Sequence, residues 1–308
     1  MLPVISLTLN PCIDLSAHIP ELKPDKKLHC HTLKKEPGGG GINISRVIQR
    51  FGGSTIAVYP AGGYTGDYFN KMLDHENVRS VRIHIKDFTR ENIVVKEDCS
   101  NLQYRFGMPG PVMQQDEWEK ILFELSSIEE MGFLVASGSL ADGIPKDFFA
   151  RVGEIAKQKN VKYILDTSGE SLKPALANGV YMIKPNLGEL AMLAGVKELN
   201  KTTATLAARE IISNKQAEVV VVSMGASGAL LVTASIAEQI VAPAVKIKST
   251  VGAGDSMVAG IVLALSEQKH ITEAVQFGVA CGTAATMNEG TGLCSKEDAM
   301  QLFKLITG

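Results

Sequence analysis

Val219-Val-Val-Val222 places four β-branched residues in succession with no polar alternation, the pattern of a strand buried on both faces. Outward from it, Val4–Leu9, Thr55–Tyr59, Gly132–Ala136, Lys162–Leu165 and Tyr181–Ile183 have the same character. Amphipathic stretches lie between these runs, among them Lys146–Gln158, Leu187–Ala194 and Thr203–Asn214. Strand and helix patterns alternating over this length predict an α/β layered fold with a largely parallel sheet covered on both faces.

Two places break the rhythm. Asp14–Ile19 with Leu28–Lys35, and Asn92–Glu97 with Gln103–Phe106, read as short hairpins in which polar and apolar residues alternate. They predict a small sheet projecting from the core as a lid over a cleft. Its covered face would pack on substrate or on the lid of a second subunit; a surface hairpin without a role is the plainer reading. No internal repeat, low-complexity tract or linker divides the chain, so residues 1–308 read as a single domain, with the lid at about 12–36 and 88–108.

The composition narrows the function. With 308 residues, 45% of them hydrophobic, the chain has enough apolar material for one large core. A net charge of -2 and a pI near 6.3 provide no whole-molecule field to gather nucleic acid or an anionic membrane. Met1–Pro11 lacks a basic leader and reads as a buried first strand, and no window approaches the roughly 20 apolar residues of a membrane helix. Five cysteines (Cys12, Cys30, Cys99, Cys281, Cys294) are odd in number and share no CxxC spacing, which suits a reducing cytoplasm. His29 and His31, two apart, would share one face of a strand, either as a metal pair or as a solvated surface.

The chemistry concentrates in Ser249-Thr-Val-Gly-Ala-Gly-Asp255-Ser-Met-Val-Ala-Gly260. A glycine turn runs straight into an apolar helical pattern, so Gly252, Ala253 and Gly254 should sit at a helix N-terminus. Free N–H groups and the helix dipole make that an anion site. Asp255 presents a carboxylate beside it, suited to orienting and deprotonating an attacking hydroxyl, or else to capping the helix. Near the start, Pro37-Gly-Gly-Gly-Gly-Ile-Asn43 opens another helix and matches neither a Walker loop nor GxGxxG. Four consecutive glycines imply close approach of the backbone to a ligand or a strand. Lys184-Pro-Asn186-Leu-Gly-Glu189 follows a strand and opens a helix. Asn186 and Glu189 there suit a Mg²⁺ ion held through waters, or equally a capping box.

Together and in this order, these three stretches resemble the phosphofructokinase-B branch of the ribokinase-like carbohydrate kinases. The resemblance runs from Thr8-Leu-Asn-Pro-Cys-Ile-Asp14 through Tyr104-Arg-Phe-Gly-Met-Pro-Gly110 to Gly290-Thr-Gly-Leu-Cys-Ser295. It implies a doubly wound α/β domain with a β-sheet lid, a homodimer through that lid, ATP as co-substrate and Mg²⁺. Asp255 would be the catalytic base, with the Gly252–Gly254 amides as the anion hole. Asp14, Gly39 and Asn43 would hold sugar hydroxyls, while Arg90, Ser139 and Lys27 would contact the phosphate already on the acceptor, Lys27 across the dimer. Lys184, Asn186, Ser223, Gly225 and Asn288 would lie on the nucleotide side, with Glu189 near the metal. Relatives that bind K⁺ do so on backbone carbonyls corresponding to Ser249, Val251, Asn288 and Gly290. Gly292 and Ala141-Asp-Gly143 depart from the family pattern.

The resemblance implies a ketohexose phosphate as acceptor: fructose 6-phosphate first, with tagatose 6-phosphate and fructose 1-phosphate as alternatives. A non-catalytic sensor of sugar phosphate or nucleotide is the rival of another class, opposed by the intact Asp255. A nicotinamide-dependent oxidoreductase is opposed by the absence of GxGxxG.

Overall fold

Among the described residues, 2–308 of the computed structural model, thirteen strands and ten α-helices alternate. After β1 (Val4–Leu7), strands β2 (Cys12–Ile19) and β3 (His31–Gly38) leave the core, and α1 (Gly40–Arg50), β4 (Thr55–Gly62), α2 (Gly63–His75) and β5 (Ser80–Ile85) return to it. A second excursion is β6 (Arg90–Glu97) and β7 (Gln103–Phe106). The chain then runs through α3 (Gln115–Ser127), β8 (Phe133–Ser137), α4 (Phe148–Gln158), β9 (Lys162–Asp166), α5 (Leu172–Asn178) and β10 (Val180–Ile183). Next come α6 (Leu187–Leu193), α7 (Lys201–Ser213), β11 (Ala217–Ser223), β12 (Ala229–Val232) and β13 (Ala237–Ile240). Three helices finish it: α8 (Ala253–Ser266), α9 (Ile271–Thr286) and α10 (Lys296–Thr307). No helix among the described residues is long and apolar enough to cross a membrane.

The central sheet has nine strands in the order β13-β12-β11-β10-β9-β8-β1-β4-β5, parallel from β5 to β11 and antiparallel at β12 and β13. All six runs read as strands lie in it. The pleat sends alternate residues to opposite faces, and both faces are covered. Val219 and Val221 join Val4, Phe133 and Val135 in a core closed by α1, α8, α9 and α10. Val220 and Val222 join Ile5, Leu7 and Leu134 in a second core built with residues of α3 to α7. The sheet is therefore doubly wound. Strand order reverses at β1, which lies between β8 and β4. In open α/β sheets the crevice outside the carboxyl ends of such strands is where ligands bind.

The lid is a four-stranded sheet in the order β3-β2-β6-β7. Both expected hairpins are antiparallel pairs, and β2 and β6 join them by parallel pairing. The third strand runs from His31 to Gly38, starting and ending later than read from sequence: Leu28–Cys30 stay outside the ladder, while Glu36–Gly38 pair with Cys12–Asp14. His29 therefore lies outside the strand, and the shared His29–His31 face does not form. Instead His18 Nδ1 and His31 Nε2 meet the two oxygens of Asp98 at 3.0 and 2.9 Å. Among the described residues no group of three His, Cys, Asp or Glu could hold a metal ion.

The four glycines are explained by protein contacts. Gly39 has φ 115°, a conformation that L side chains rarely adopt. A Cβ on Gly38 would collide with the Asp14 carboxylate, and one on Gly40 with Ser137 Oγ. On Gly41 it would stand 2.5 Å from the Leu7 carbonyl oxygen. These contacts set the start of α1 against the ends of β1 and β8. Gly41→Ala should lower stability by about 1–3 kcal/mol through overpacking against backbone that cannot yield. Urea denaturation checks this, and an unchanged midpoint would contradict the packing described.

Candidate functional site

Helix α8 begins at Gly252, which serves as N-cap in the left-handed conformation at φ 73°. No side chain caps this end; Ala253 N donates to the Thr250 carbonyl at 3.5 Å, and the neighbouring amides have no side-chain acceptor. Asp255, in the first turn, does not act as the cap. Its Oδ2 instead accepts a hydrogen bond from Asn43 Nδ2 on α1 at 2.8 Å. Lys184, just after β10, comes up to the same helix end: a Cβ on Gly254 would lie 3.4 Å from its Nζ. Lys184 is buried and pairs with Asp166, at the end of β9, at 3.2 Å.

The charges tune one another. Burial pushes the Asp255 carboxyl up; the Asn43 hydrogen bond and the Lys184 charge oppose this, while Asp166 and Asp14 add to it. The outcome is a pKa of about 6. For Lys184 burial works against the ammonium, but Asp166, with Asp255 and Glu189, carries its pKa above the usual lysine value. A carboxyl that loses its proton near neutrality, beside a fixed cation and a helix N-terminus, can take a proton from a hydroxyl while an anion sits opposite.

Asp14 lies on β2 where the lid meets the core. Its Oδ1 accepts from Asn92 Nδ2 at 3.2 Å and from Cys12 Sγ at 3.3 Å. Burial raises its pKa against those two bonds and the nearby Arg90. Arg90 opens β6; its Nη2 donates to the Asn10 carbonyl at 3.0 Å and its Nη1 to the Met108 carbonyl at 3.2 Å. Its Nε is buried and has no partner among the described residues. Ser139, after β8, accepts a bond of 3.4 Å from Asn10 Nδ2. With Gly40, Ser137, Asp166, Glu189 and Asp255 it lines a cleft of about 300 Å³.

The structure thus gathers Asp255, Gly252, Ala253, Gly254, Asn43, Lys184, Ser139 and Glu189 at one crevice, with Asp14, Gly39 and Arg90 at its lid edge. Glu189 also completes the capping box that the sequence left open: Asn186 Oδ1 accepts from Glu189 N at 2.9 Å, and Glu189 Oε2 accepts from Asn186 N at 2.8 Å. Asn186 bridges Ser223, and Gly225 starts the following tight turn at φ 58°. Asn288 and Gly290 line another cleft, of about 430 Å³, shared with Lys34 and Arg50. There Ser249 Oγ donates to the Gly290 carbonyl at 2.6 Å, Val251 N donates to Ser249 Oγ at 3.2 Å, and Asn288 Nδ2 donates to the Leu293 carbonyl at 3.1 Å. Lys27 is exposed on the β2–β3 loop and lines neither cleft. A wider groove of about 1200 Å³ holds Lys157, Lys162 and Lys215 but none of these residues. Sequence reasoning missed Asp166, Asn92 and Arg46. Asp166 had a signal, as the carboxylate closing a buried strand, whereas Asn92 and Arg46 are fixed by partners on other elements, Asp14 and the glutamates Glu36 and Glu76.

A family model described as "pfkB family carbohydrate kinase" matches residues 1–298. The chain is 41% identical over 308 residues to ATP-dependent 6-phosphofructokinase isozyme 2 of Escherichia coli, with 100% of both chains covered. It is 30% identical over 306 residues to tagatose-6-phosphate kinase of Staphylococcus epidermidis, with 98% of both covered. The solved structure of phosphofructokinase-2 from Escherichia coli in complex with fructose-6-phosphate superposes with TM-score 0.94 at 39% identity, covering 100% of each chain. The same protein in complex with potassium superposes with TM-score 0.96 at 41% identity and the same coverage.

A carboxyl whose pKa is raised on folding binds more protons in the folded chain, so it costs stability once pH rises from about 3.8 through about 6. Asp255→Asn should therefore be more stable than the parent at pH 8 by roughly 1–3 kcal/mol. The advantage should vanish towards pH 4. Denaturant titrations at both pH values test this, and an equal difference at both would contradict the raised pKa.

Proposed function

The chain belongs to the pfkB family of carbohydrate kinases, and from that premise we propose that it transfers the γ-phosphoryl group of ATP to a primary hydroxyl of a ketohexose phosphate. The favoured acceptor is fructose 6-phosphate, giving fructose 1,6-bisphosphate. This rests on 41% identity over the full chain with a 6-phosphofructokinase and on the superposition with its fructose-6-phosphate complex. The observation that carries the chemistry is the Asp255 carboxyl, held by Asn43 beside the uncapped start of α8.

In this reaction Asp255 takes the proton of the acceptor hydroxyl, whose oxygen bonds to the γ-phosphorus. The bond to the β,γ-bridging oxygen breaks and ADP leaves. The Gly252–Gly254 amides and Lys184 stabilise the charge on the phosphoryl oxygens, a role that needs fixed donors more than covalent chemistry. Asp14 and Asn43 hold sugar hydroxyls. Arg90 holds the phosphate already present, and its unpartnered buried Nε supports this: an arginine fork suits a phosphate dianion.

The fit to Mg²⁺ is that of a nucleotide-borne ion. Glu189 and Asp166 line the cleft, but each already has a protein partner, so they would meet the ion through waters. Mg²⁺ would neutralise charge on the transferring phosphates. A K⁺ ion on the carbonyls of Ser249, Val251, Asn288 and Gly290 is supported by the Ser249–Gly290 bond, which draws the two segments together.

The pleat of the lid supports a homodimer. Asp14, Ser16 and Asn92 point to one face, while Leu15, Ile93 and Phe106 align on the other. Leu33, Ile93, Tyr104 and Phe106 are exposed there, an apolar surface suited to a second lid. Lys27 would then reach the partner's acceptor site. Five free cysteines are in keeping with work in the cytoplasm.

Asp255→Asn should lose at least about 10³-fold in kcat with little change in ATP affinity. In the parent chain, kcat/KM should fall tenfold per pH unit below about 6, where Asp255 is protonated. Wild-type-like turnover of the variant would remove the base assignment. Comparing kcat/KM for fructose 6-phosphate, tagatose 6-phosphate and fructose 1-phosphate tests the acceptor, with the first expected to lead. Arg90→Ala should raise KM for the sugar phosphate while leaving that for ATP nearly unchanged; equal shifts in both would assign the phosphate to another residue.

A further inference from the structure

Among the described residues Arg46 is the largest fully buried side chain, 1% exposed, on α1 one turn beyond Asn43. All five of its N–H groups are used. Nε donates to both oxygens of Glu76 at 3.0 Å, and Nη2 donates to Glu76 Oε1 at 2.7 Å and Glu36 Oε1 at 3.3 Å. Nη1 donates to the Pro37 carbonyl at 2.8 Å and to Asn43 Oδ1 at 3.3 Å.

A purely stabilising role explains this cluster poorly. Buried ion pairs are often no better than well-packed apolar residues, because desolvation offsets their attraction. What the cluster does is select one orientation of an amide. The two ends of a carboxamide are nearly the same size, and Asn43 could turn either toward Asp255. With Oδ1 held by Arg46, Nδ2 must face the carboxylate, which it does at 2.8 Å. The flipped amide would set Oδ1 against Asp255, favourable only when the carboxyl carries a proton. Excluding that state keeps Asp255 ready to accept one.

We propose that Arg46 is a positioning residue for the phosphoryl-transfer site, acting through Asn43 to hold Asp255 in its proton-accepting form. The proposal rests on the assignment of Asp255 as base. The guanidinium is clamped from three elements: α1 itself, Glu36 on β3, and Glu76 at the end of α2. Lys34 and Thr291 in turn bind Glu36, at 2.9 and 2.7 Å, and Arg50 binds Glu76 at 3.2 Å. Asp255 itself is faced by Asp166, Lys184, Asp14 and Cys12, none of which touches Arg46.

The test is Arg46→Lys, which keeps the charge among the two glutamates but cannot reproduce the planar fork. Its kcat should fall about 10- to 100-fold, as expected of a slightly misplaced catalytic group. KM for either substrate should stay within about threefold, and the acid limb of the kcat profile should move to higher pH. Carbon-13 NMR titration of the Asp255 carboxyl, assigned with Asp255→Asn and run without substrates, should show the same upward move. In an Asn43→Ala background Arg46→Lys should have almost no further effect on kcat. If Arg46→Lys does not fold, the triple variant Arg46→Met, Glu36→Gln, Glu76→Gln leaves no unpaired buried charge and carries the same expectations. Unchanged kcat and an unmoved Asp255 titration in a folded variant would overturn the proposal. Turnover that survives Asp255→Asn would instead overturn the base assignment, while the NMR titration would still report whether Arg46 acts on that carboxyl.

Discussion

The hydrogen bond from Asn43 to Asp255 is the constraint on which the site depends. It joins two helices separated by most of the chain, and both begin at the crevice where strand order reverses. Asp255 sits at the start of α8, where the helix dipole favours an anion, yet it is itself a partly buried anion at the wall of the cleft. The structure resolves that conflict by surrounding it unequally. Asn43 and Lys184 favour the charged form, while burial and the carboxylates of Asp166 and Asp14 oppose it, so the group titrates near neutrality.

The rest of the fold serves this placement. The parallel sheet ends β1, β8, β9 and β10 side by side, which puts Gly40, Ser139 and Asp166 around a single opening, with Lys184 paired to Asp166 behind it. The glycine run lets α1 start hard against β1 and β8, so that Asn43 reaches across to α8. Arg46 then anchors α1 to the lid strand β3 and to α2 through two glutamates. Thr291 ties the same Glu36 to the late loop. Lid strand, α1, α2 and late loop thus meet at one ionic cluster around Arg46.

Much of this was legible in the sequence, for physical reasons. Runs such as Val219–Val222 admit little but a doubly covered strand, and all of them lie in the central sheet. The edge strands were less visible. β5 carries Arg82 and His84 among its apolar residues, and β12 and β13 are only four residues each. The lid hairpins follow from alternation, but the end of β3 is hidden in the sequence because Pro37 and Gly38 look like a loop and in fact finish a strand. The glycine run could be read as a close approach; that its partners are Leu7, Ser137 and Asp14 needed coordinates. Asp255 and Lys184 stood out by motif. Arg46 did not, since an arginine on an amphipathic helix looks solvated until Glu36 and Glu76 arrive from elsewhere.

In the proposed reaction phosphoryl transfer takes place between the uncapped start of α8 and the Asp255 carboxylate. A crystal structure with a non-hydrolysable ATP analogue and fructose 6-phosphate would locate both reacting groups. The terminal phosphate should lie on the Gly252–Gly254 amides, with the acceptor hydroxyl hydrogen-bonded to Asp255. A terminal phosphate seated instead in the cleft beside Asn288, or in the groove of Lys157 and Lys215, would contradict it.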